Sequence, residues 1–130
     1  MHAKRSNGPS CTSCSLGQYC HVKILMIEDN IPVAQSLSHA LEASDVTVTH
    51  VITAEDAALV ADDTYDMVLS DYDLGPDEPT GNQVCVTLRP LMPAARFIIM
   101  SGLERNVPDF ATFALKSSAL LGTVLAAKAA

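Results

Sequence analysis

The chain has 130 residues, of which 48% are hydrophobic and 18% are charged. This length suits one domain with one buried core and is too short for two ordinary domains. A net charge of −7 and the scattering of the few basic residues argue against direct binding to nucleic acid. Apolar segments are too short to span a bilayer and residues 1–9 lack a secretory signal, so we expect a cytoplasmic protein without membrane insertion.

The beginning of the chain differs from the rest in composition. Residues 1–21 hold three of the four cysteines and show neither helical nor strand periodicity. We therefore predict a flexible, cysteine-containing tail (1–21) before one domain (22–130). Val22–Ile27 is a short apolar run, typical of a strand buried on both faces. Asn30 and Pro32 then indicate the start of a helix.

Two further strands follow, each ended by a clear signal. Val46–Ile52 is rich in β-branched residues, and Thr53 with Asp56 three positions later has the spacing of a helix cap. Met67–Ser70 is a third short apolar run, followed by a loop rich in glycine and proline. The chain thus alternates strands with helices.

The second half of the domain continues this alternation. Thr80 and Gln83 have the spacing of a capping box and predict a third helix, which Pro93 ends. Arg96–Met100 and Phe113–Leu115 predict a fourth and a fifth strand. A last helix is predicted from an apolar stripe at helical spacing, formed by Leu121, Val124 and Leu125.

Strands that alternate with helices pair in parallel through right-handed crossovers. We therefore predict an α/β fold, a three-layer, doubly wound, five-stranded parallel sheet with strand order 2-1-3-4-5. In this topology, ligands bind at the carboxyl ends of the first and third strands, where the winding reverses. The residues after those two strands are the candidates for a functional site.

Three carboxylates follow the two strands at this point. Glu28 and Asp29 come after the first strand and Asp71 comes after the third, so the topology would bring them together. Like charges this close raise each other's pKa unless a cation offsets them, and carboxylate oxygens suit Mg²⁺ or Mn²⁺. The three acids together predict a divalent-metal site. Taken singly, each is also explained as a helix-start acid or a turn residue.

A carboxylate at such a site can attack phosphorus and form an aspartyl phosphate. That chemistry also needs a cation and a hydroxyl donor for the phosphoryl oxygens. Lys116 directly follows the fifth strand and Ser101 the fourth, so both would lie at the same edge of the sheet. Singly, a surface charge and a turn residue explain them equally well. Their joint placement favours the site.

Over about Val22–Ala130, the chain resembles response-regulator receiver domains, which include the chemotaxis regulator. The positions that match the family's functional residues are Glu28 and Asp29 (paired acids), Asp71 (phosphoacceptor), Ser101 with its small neighbour Gly102, and Lys116. By the same alignment, Phe113 holds the aromatic switch position. The backbone carbonyl of Asp73 would complete the metal shell.

The resemblance implies that a sensor histidine kinase or a phosphotransfer protein donates a phosphoryl group to Asp71 with Mg²⁺ bound. Ser101 and Lys116 would then move onto the phosphoryl group and shift a two-state equilibrium. The protein would be a phosphoacceptor that contributes to its own phosphorylation and dephosphorylation, not an enzyme. With no output domain expected, it would act on a downstream protein or within a relay.

The sequence departs from the family pattern on either side of the site. Lys116 is followed by Ser117 where receivers usually have proline, which predicts looser positioning of the lysine. The loop from residue 71 to 81 is longer and more acidic than usual. An ordinary solvated loop explains these charges, but Asp73 is also expected to alter the access of water to an acyl phosphate.

A third departure is the short connection between the fourth and fifth strands. Only about a dozen residues separate Met100 from Phe113, which is little for a crossover with a full helix. We expect the helix there to be short, irregular or absent, with Leu103–Asn106 forming at most one turn before Pro108. Receivers signal through this region, so we expect an unusual output surface, with a homodimer or another partner covering apolar edges.

The tail carries a second candidate site. Cys11, Cys14, Cys20 and His21 have spacings that resemble a metal or iron–sulfur ligand set. Cys85 is an alternative fourth ligand, although a buried apolar role is its ordinary interpretation. The tail is also explained as a disordered leader with free thiols. The competing hypothesis for the whole chain is a pseudo-receiver, a binding scaffold regulated by the metal or redox state of the tail.

Overall fold

A computed structural model gives the fold and describes residues 21–129. Five parallel strands form one sheet in the order β2-β1-β3-β4-β5. The strands are β1 (Val22–Ile27), β2 (Val46–Val51), β3 (Met67–Asp71), β4 (Arg96–Ser101) and β5 (Ala111–Leu115). The predicted α/β class and strand order are confirmed.

The helices begin where the sequence offers cap residues. They are α1 (Ile31–Glu42), α2 (Ala54–Val60), α3 (Gly81–Leu88) and α4 (Leu120–Ala129), and a 3-10 turn (Arg89–Leu91) extends α3. Asn30 and Thr53 each accept a hydrogen bond from a backbone N–H three residues later. Thr80 and Gln83 form a complete capping box. This box fixes the start of α3 close to the end of β3, where the candidate site lies.

Alternate strand residues pack against two helix layers, one on each face of the sheet. On β1, Ile24 and Met26 join the core under α1 and α4, whereas Leu25 and Ile27 join the core under α2 and α3. All four side chains are fully buried. Because both faces of the sheet are covered, its central strands need the continuous apolar runs seen in the sequence.

The connection between β4 and β5 contains no helix. All of residues 102–110 are described and none of them is helical, so we call this segment the helix-free linker. The prediction of a short, irregular or absent helix is confirmed, and residues 103–106 do not form the single turn that they could have made. The linker is instead held by side chains. The ring of Phe110 packs edge-on against Phe97, with centroids 5.3 Å apart, and lies 4.4 Å from the Arg89 guanidinium.

Two smaller points concern the limits of the domain. β5 begins at Ala111, two residues before the predicted start, because Ala111 and Thr112 pair with Phe97 and Ile98 of β4. Residues 1–20 lie outside the described part of the chain, so the division into a tail (1–21) and a domain (22–130) stays a prediction. In residues 21–129, no helix is long and apolar enough to cross a membrane.

Candidate functional site

The carboxyl ends of four strands bring the predicted site residues to one edge of the sheet. Glu28 follows β1, while Asp71 and Ser101 are the last residues of β3 and β4. Asp71 is in register with Met100, the neighbour of Ser101. Lys116 follows β5, and its backbone N–H donates to the Ser101 carbonyl over 2.8 Å. The parallel register therefore places all four residues together, as the topology predicted.

Glu28, Asp29 and Asp71 form a carboxylate cluster. One oxygen from each lies within 4.8 Å of the others. Glu28 is fully buried and Asp71 is only 6% exposed, whereas Asp29 is exposed to solvent. Mg²⁺ prefers oxygen ligands and keeps several of its waters, so a carboxylate set with one open side fits it well. These three residues could hold such an ion.

Lys116 lies between two of these acids. Its Nζ donates to Glu28 Oε1 over 2.8 Å and lies 3.1 Å from Asp71 Oδ1. Burial lowers the pKa of the ammonium group, but its hydrogen bond to Glu28 and the charges of both carboxylates outweigh burial and raise that pKa. The lysine therefore stays charged and partly neutralises a crowded acidic site.

Asp71 is the acid whose protonation is most altered. Burial, followed by the nearby charge of Glu28, raises the pKa of its carboxyl from 3.8 to about 6, and the charge of Lys116 opposes this rise. An aspartate in such surroundings keeps its proton to a higher pH than a solvated aspartate, and additional positive charge would favour its ionised form. A bound divalent cation would supply that charge.

Glu28 is held in place from several directions. Its Oε2 accepts a hydrogen bond from the Asn30 backbone N–H over 3.1 Å, and its own backbone N–H donates to the Val51 carbonyl. The Glu28 carbonyl accepts from His50 Nε2 over 2.7 Å, so this nitrogen carries the ring proton. Sequence reasoning did not identify His50. The available signal was its place near the end of β2, the strand beside β1.

Ser101 accepts hydrogen bonds from the linker that follows it. Its Oγ accepts from the Leu103 backbone N–H over 3.2 Å and from Arg105 Nε over 3.4 Å. Arg105 also places Nη2 3.3 Å from Asp73 Oδ2 and lies 4.4 Å from the centre of the Tyr72 ring. Sequence reasoning did not identify Arg105 either. Its only signal was a basic residue shortly after Ser101.

Glycine is required where α3 starts against the site. A Cβ on Gly81 would lie 2.4 Å from the carbonyl oxygen of Asp71, a distance that real Cβ atoms essentially never show. In the same loop, Gly75 adopts a φ of 113°, and a Cβ there would lie 3.6 Å from Asp29 Oδ2. The loop backbone thus passes close to the cluster. By contrast, a Cβ on Gly102 would meet no atom within 4 Å from any described residue beyond its two chain neighbours.

The remaining predicted residues lie at the margin of the site. Phe113 is partly buried on β5, opposite Ile99 of β4. Asp73 is exposed, and its carboxylate faces Arg105. The roles expected for Phe113, for Gly102 and for the backbone carbonyl of Asp73 stay predictions.

The candidate tail ligands are only partly described, because Cys11, Cys14 and Cys20 lie outside residues 21–129. His21 already has two partners, since its Nδ1 lies 2.8 Å from Asp45 Oδ1 and its Nε2 contacts the Thr47 hydroxyl. Cys85 is fully buried in the core under α2 and α3, and burial raises the pKa of its thiol to about 12. Cys85 is therefore a core residue, as its ordinary interpretation suggested.

Solved structures of receiver domains resemble this fold. The receiver domain of the hybrid histidine kinase CckA has a TM-score of 0.70 and 23% identity, over 83% of this chain and 99% of that chain. A Burkholderia pseudomallei response regulator with a phosphorylated aspartic acid, a calcium ion and citrate has a TM-score of 0.69 and 26% identity, over 82% of this chain and 65% of that chain.

A third similar structure contains a kinase. A chain in the complex of histidine kinase ThkA with response regulator protein TrrA has a TM-score of 0.68 and 19% identity, over 84% of this chain and 99% of that chain. No protein-family model and no curated protein sequence matches the chain. The structural similarity shows that the chain has the fold of response-regulator receiver domains, which confirms the resemblance at the level of fold.

Proposed function

We propose that the chain is a response-regulator receiver domain that accepts a phosphoryl group on Asp71 from a sensor histidine kinase or a phosphotransfer protein. One observation carries this proposal. A buried aspartate at the switch point of the sheet contacts Lys116 at 3.1 Å and shares a cluster with two further acids. The similar structures support it, because one contains a phosphorylated aspartic acid and another contains a histidine kinase.

Phosphoryl transfer begins with attack by a carboxylate oxygen of Asp71 on the phosphorus of a phosphohistidine. A P–O bond to Asp71 forms as the P–N bond breaks, and the electron pair of that bond leaves with the histidine ring, which takes up a proton. The attacking oxygen must be ionised. Lys116 favours ionisation because its charge opposes the effects that raise the pKa of Asp71. After transfer, the Lys116 ammonium and the Ser101 hydroxyl would bind phosphoryl oxygens.

The carboxylates of Glu28, Asp29 and Asp71, with the backbone carbonyl of Asp73, would hold Mg²⁺ or Mn²⁺. A bound divalent cation supplies positive charge to the oxygens of the transferring phosphoryl group and offsets the mutual repulsion of the acids. Glu28 contributes from a fixed position, because its backbone and its side chain are both hydrogen-bonded.

The signal would leave the site through the contacts of Lys116 and Ser101. Binding of Lys116 to a phosphoryl oxygen would draw its ammonium from Glu28, and movement of Ser101 would pull on the helix-free linker. A downstream protein would read this change, in keeping with a phosphoacceptor that is not itself an enzyme. The exposed side chains of Leu103 and Leu115 offer apolar contacts near the site. Homodimerisation stays a prediction, and the role implies a cytoplasmic location.

Labelling with a small phosphodonor tests the proposal. Acetyl phosphate and Mg²⁺ should add one phosphoryl group to the wild-type chain, with loss of acetate, and chelation of the metal should abolish the reaction. Asp71→Asn should not be labelled, whereas Asp63→Asn, which alters an exposed acid outside the cluster, should behave like the wild type. An unlabelled wild-type chain would instead support the pseudo-receiver scaffold.

A further inference from the structure

The helix-free linker is attached to the β3–α3 side of the site by two consecutive residues. Arg105 forms an ion pair with Asp73 and lies over the ring of Tyr72. The next residue, Asn106, accepts a hydrogen bond from Asn82 Nδ2 on α3 through its carbonyl, over 2.8 Å. The linker is therefore fixed at the site although it contains no regular structure, and Arg105 is placed by groups on either side of its guanidinium.

The contacts of Ser101 Oγ restrict the direction of its hydroxyl proton. A hydroxyl group has two acceptor lone pairs and one proton to donate. Leu103 N–H and Arg105 Nε–H both donate to this oxygen. With both lone pairs occupied, the proton must point in the remaining tetrahedral direction. Ser101 is thus arranged as a hydrogen-bond donor, which is the role that a phosphoryl oxygen requires of it.

We propose that Arg105 is a positioning residue for Ser101. Its Nε–H holds the hydroxyl so that the proton is directed at an oxygen of the phosphoryl group on Asp71. Asp73 and Tyr72 in turn hold the guanidinium. This inference rests on the proposed phosphorylation of Asp71 and adds a residue to that site. In this protein the linker thus contributes to the site through Arg105.

The positioning role makes the effect of Arg105 depend on Ser101. Arg105 has other effects too, since its positive charge near the site would attract any anionic phosphodonor. An effect of charge alone would persist when Ser101 is replaced, whereas an effect through the hydroxyl would vanish. A double-mutant cycle separates the two, because residues that act through one contact have non-additive effects.

The cycle compares the wild type with Ser101→Ala, Arg105→Met and the double variant. Methionine keeps an unbranched side chain over Tyr72 but has no N–H to donate. Arg89→Met is the matched control, because Arg89 also places its guanidinium 4.4 Å from an aromatic ring, that of the linker residue Phe110. The rate of labelling by acetyl phosphate and the affinity for Mg²⁺ are measured for each protein, at a temperature at which thermal unfolding shows every variant to be folded.

We expect Arg105→Met to slow labelling about tenfold. This is the size of effect expected when a hydrogen bond from a charged donor is lost. In the Ser101→Ala background the same substitution should have a clearly smaller effect, because only the contribution of the Arg105 charge remains. The affinity for Mg²⁺ should not fall in either case, because the three carboxylates of the cluster are unchanged. Arg89→Met should label normally. An equal loss in both backgrounds, or no loss in the wild-type background, would overturn the inference while leaving the phosphorylation of Asp71 intact. A wild-type chain that is not labelled would overturn the proposed function, and this inference with it.

Discussion

The ammonium group of Lys116 donates a hydrogen bond to Glu28 Oε1 over 2.8 Å, and Glu28 is fully buried. An ionised carboxylate away from water needs a partner, and Lys116 provides it. The group expected to bind a phosphoryl oxygen thus also stabilises a candidate metal ligand. Any cation that binds the cluster would share Glu28 with the lysine, so binding and the position of Lys116 are linked.

The Lys116–Glu28 pair predicts a stability effect in chelator-treated protein. Lys116→Met should lower the free energy of unfolding by about 2 kcal/mol, because it removes the charged hydrogen-bond donor of a buried carboxylate. Urea unfolding measures the change. Adding Glu28→Gln should restore part of the loss, because a neutral amide does not need a counter-charge. If the double variant is no more stable than Lys116→Met, the buried charge is not the cause.

The close approach of Gly81 to Asp71 predicts opposite effects for two glycine substitutions. Gly81→Ala should destabilise the fold by at least about 2 kcal/mol, because its Cβ would lie 2.4 Å from the backbone carbonyl oxygen of Asp71. Gly122→Ala is the matched control inside α4, where a Cβ meets nothing within 4 Å and alanine should stabilise by about 0.5–1 kcal/mol. Thermal unfolding compares the two. Equal effects would contradict the steric account.

The raised pKa of Asp71 predicts a pH-dependent effect of Asp71→Asn in chelator. With a pKa of about 6 in the folded protein against an ordinary value of 3.8, Asp71 holds its proton more tightly when folded. Its contribution to stability is fully present below pH 3.8 and is lost as the pH rises through about 6. The variant lacks this loss, so its stability relative to the wild type should rise by up to about 3 kcal/mol across that window.

Urea unfolding of both proteins at several pH values measures this difference. Excess Mg²⁺ should reduce it, because the cation favours the charged form of Asp71 in the folded wild type. A difference that does not change between the two pH limits would show that burial does not hold the proton on Asp71.

The burial of Cys85 predicts that its thiol is inert in the native protein. Burial keeps reagents away from the thiol. It also raises the pKa of the thiol to about 12, which suppresses formation of the reactive thiolate. Iodoacetamide should leave Cys85 unmodified under native conditions and modify it in urea, as followed by peptide mass spectrometry. Rapid native modification of Cys85 would contradict its place in the core.

The sheet and the principal site residues could be predicted because their signals are local. Each buried strand is a short apolar run, and rules for connections leave few ways to order five parallel strands. Glu28, Asp71, Ser101 and Lys116 were then predicted from their positions at strand ends and from their match to the receiver pattern, and the structure places them at one edge of the sheet. The helix caps at Thr53 and Thr80 could also be predicted from the sequence, since a cap depends on residues three positions apart.

The course of the helix-free linker could not be predicted, because the contacts that fix it join distant parts of the sequence. Arg105 meets Asp73 across 32 positions, and Asn106 meets Asn82 across 24. His50 was missed for a different reason. Its ring donates to a backbone carbonyl. Every residue has such an acceptor, so the type of the partner residue does not indicate the contact.

The most direct test of the central claim is to locate the acyl phosphate on the chain. The wild-type protein is treated with acetyl phosphate and Mg²⁺, then reduced with borohydride, which converts an aspartyl phosphate to homoserine and releases phosphate. Peptide mass spectrometry then identifies the altered residue. We predict homoserine at position 71 and at none of the other acids, in an amount that depends on Mg²⁺. Homoserine at another aspartate, or none at all in a folded protein, would contradict the assignment of Asp71 as the phosphoacceptor.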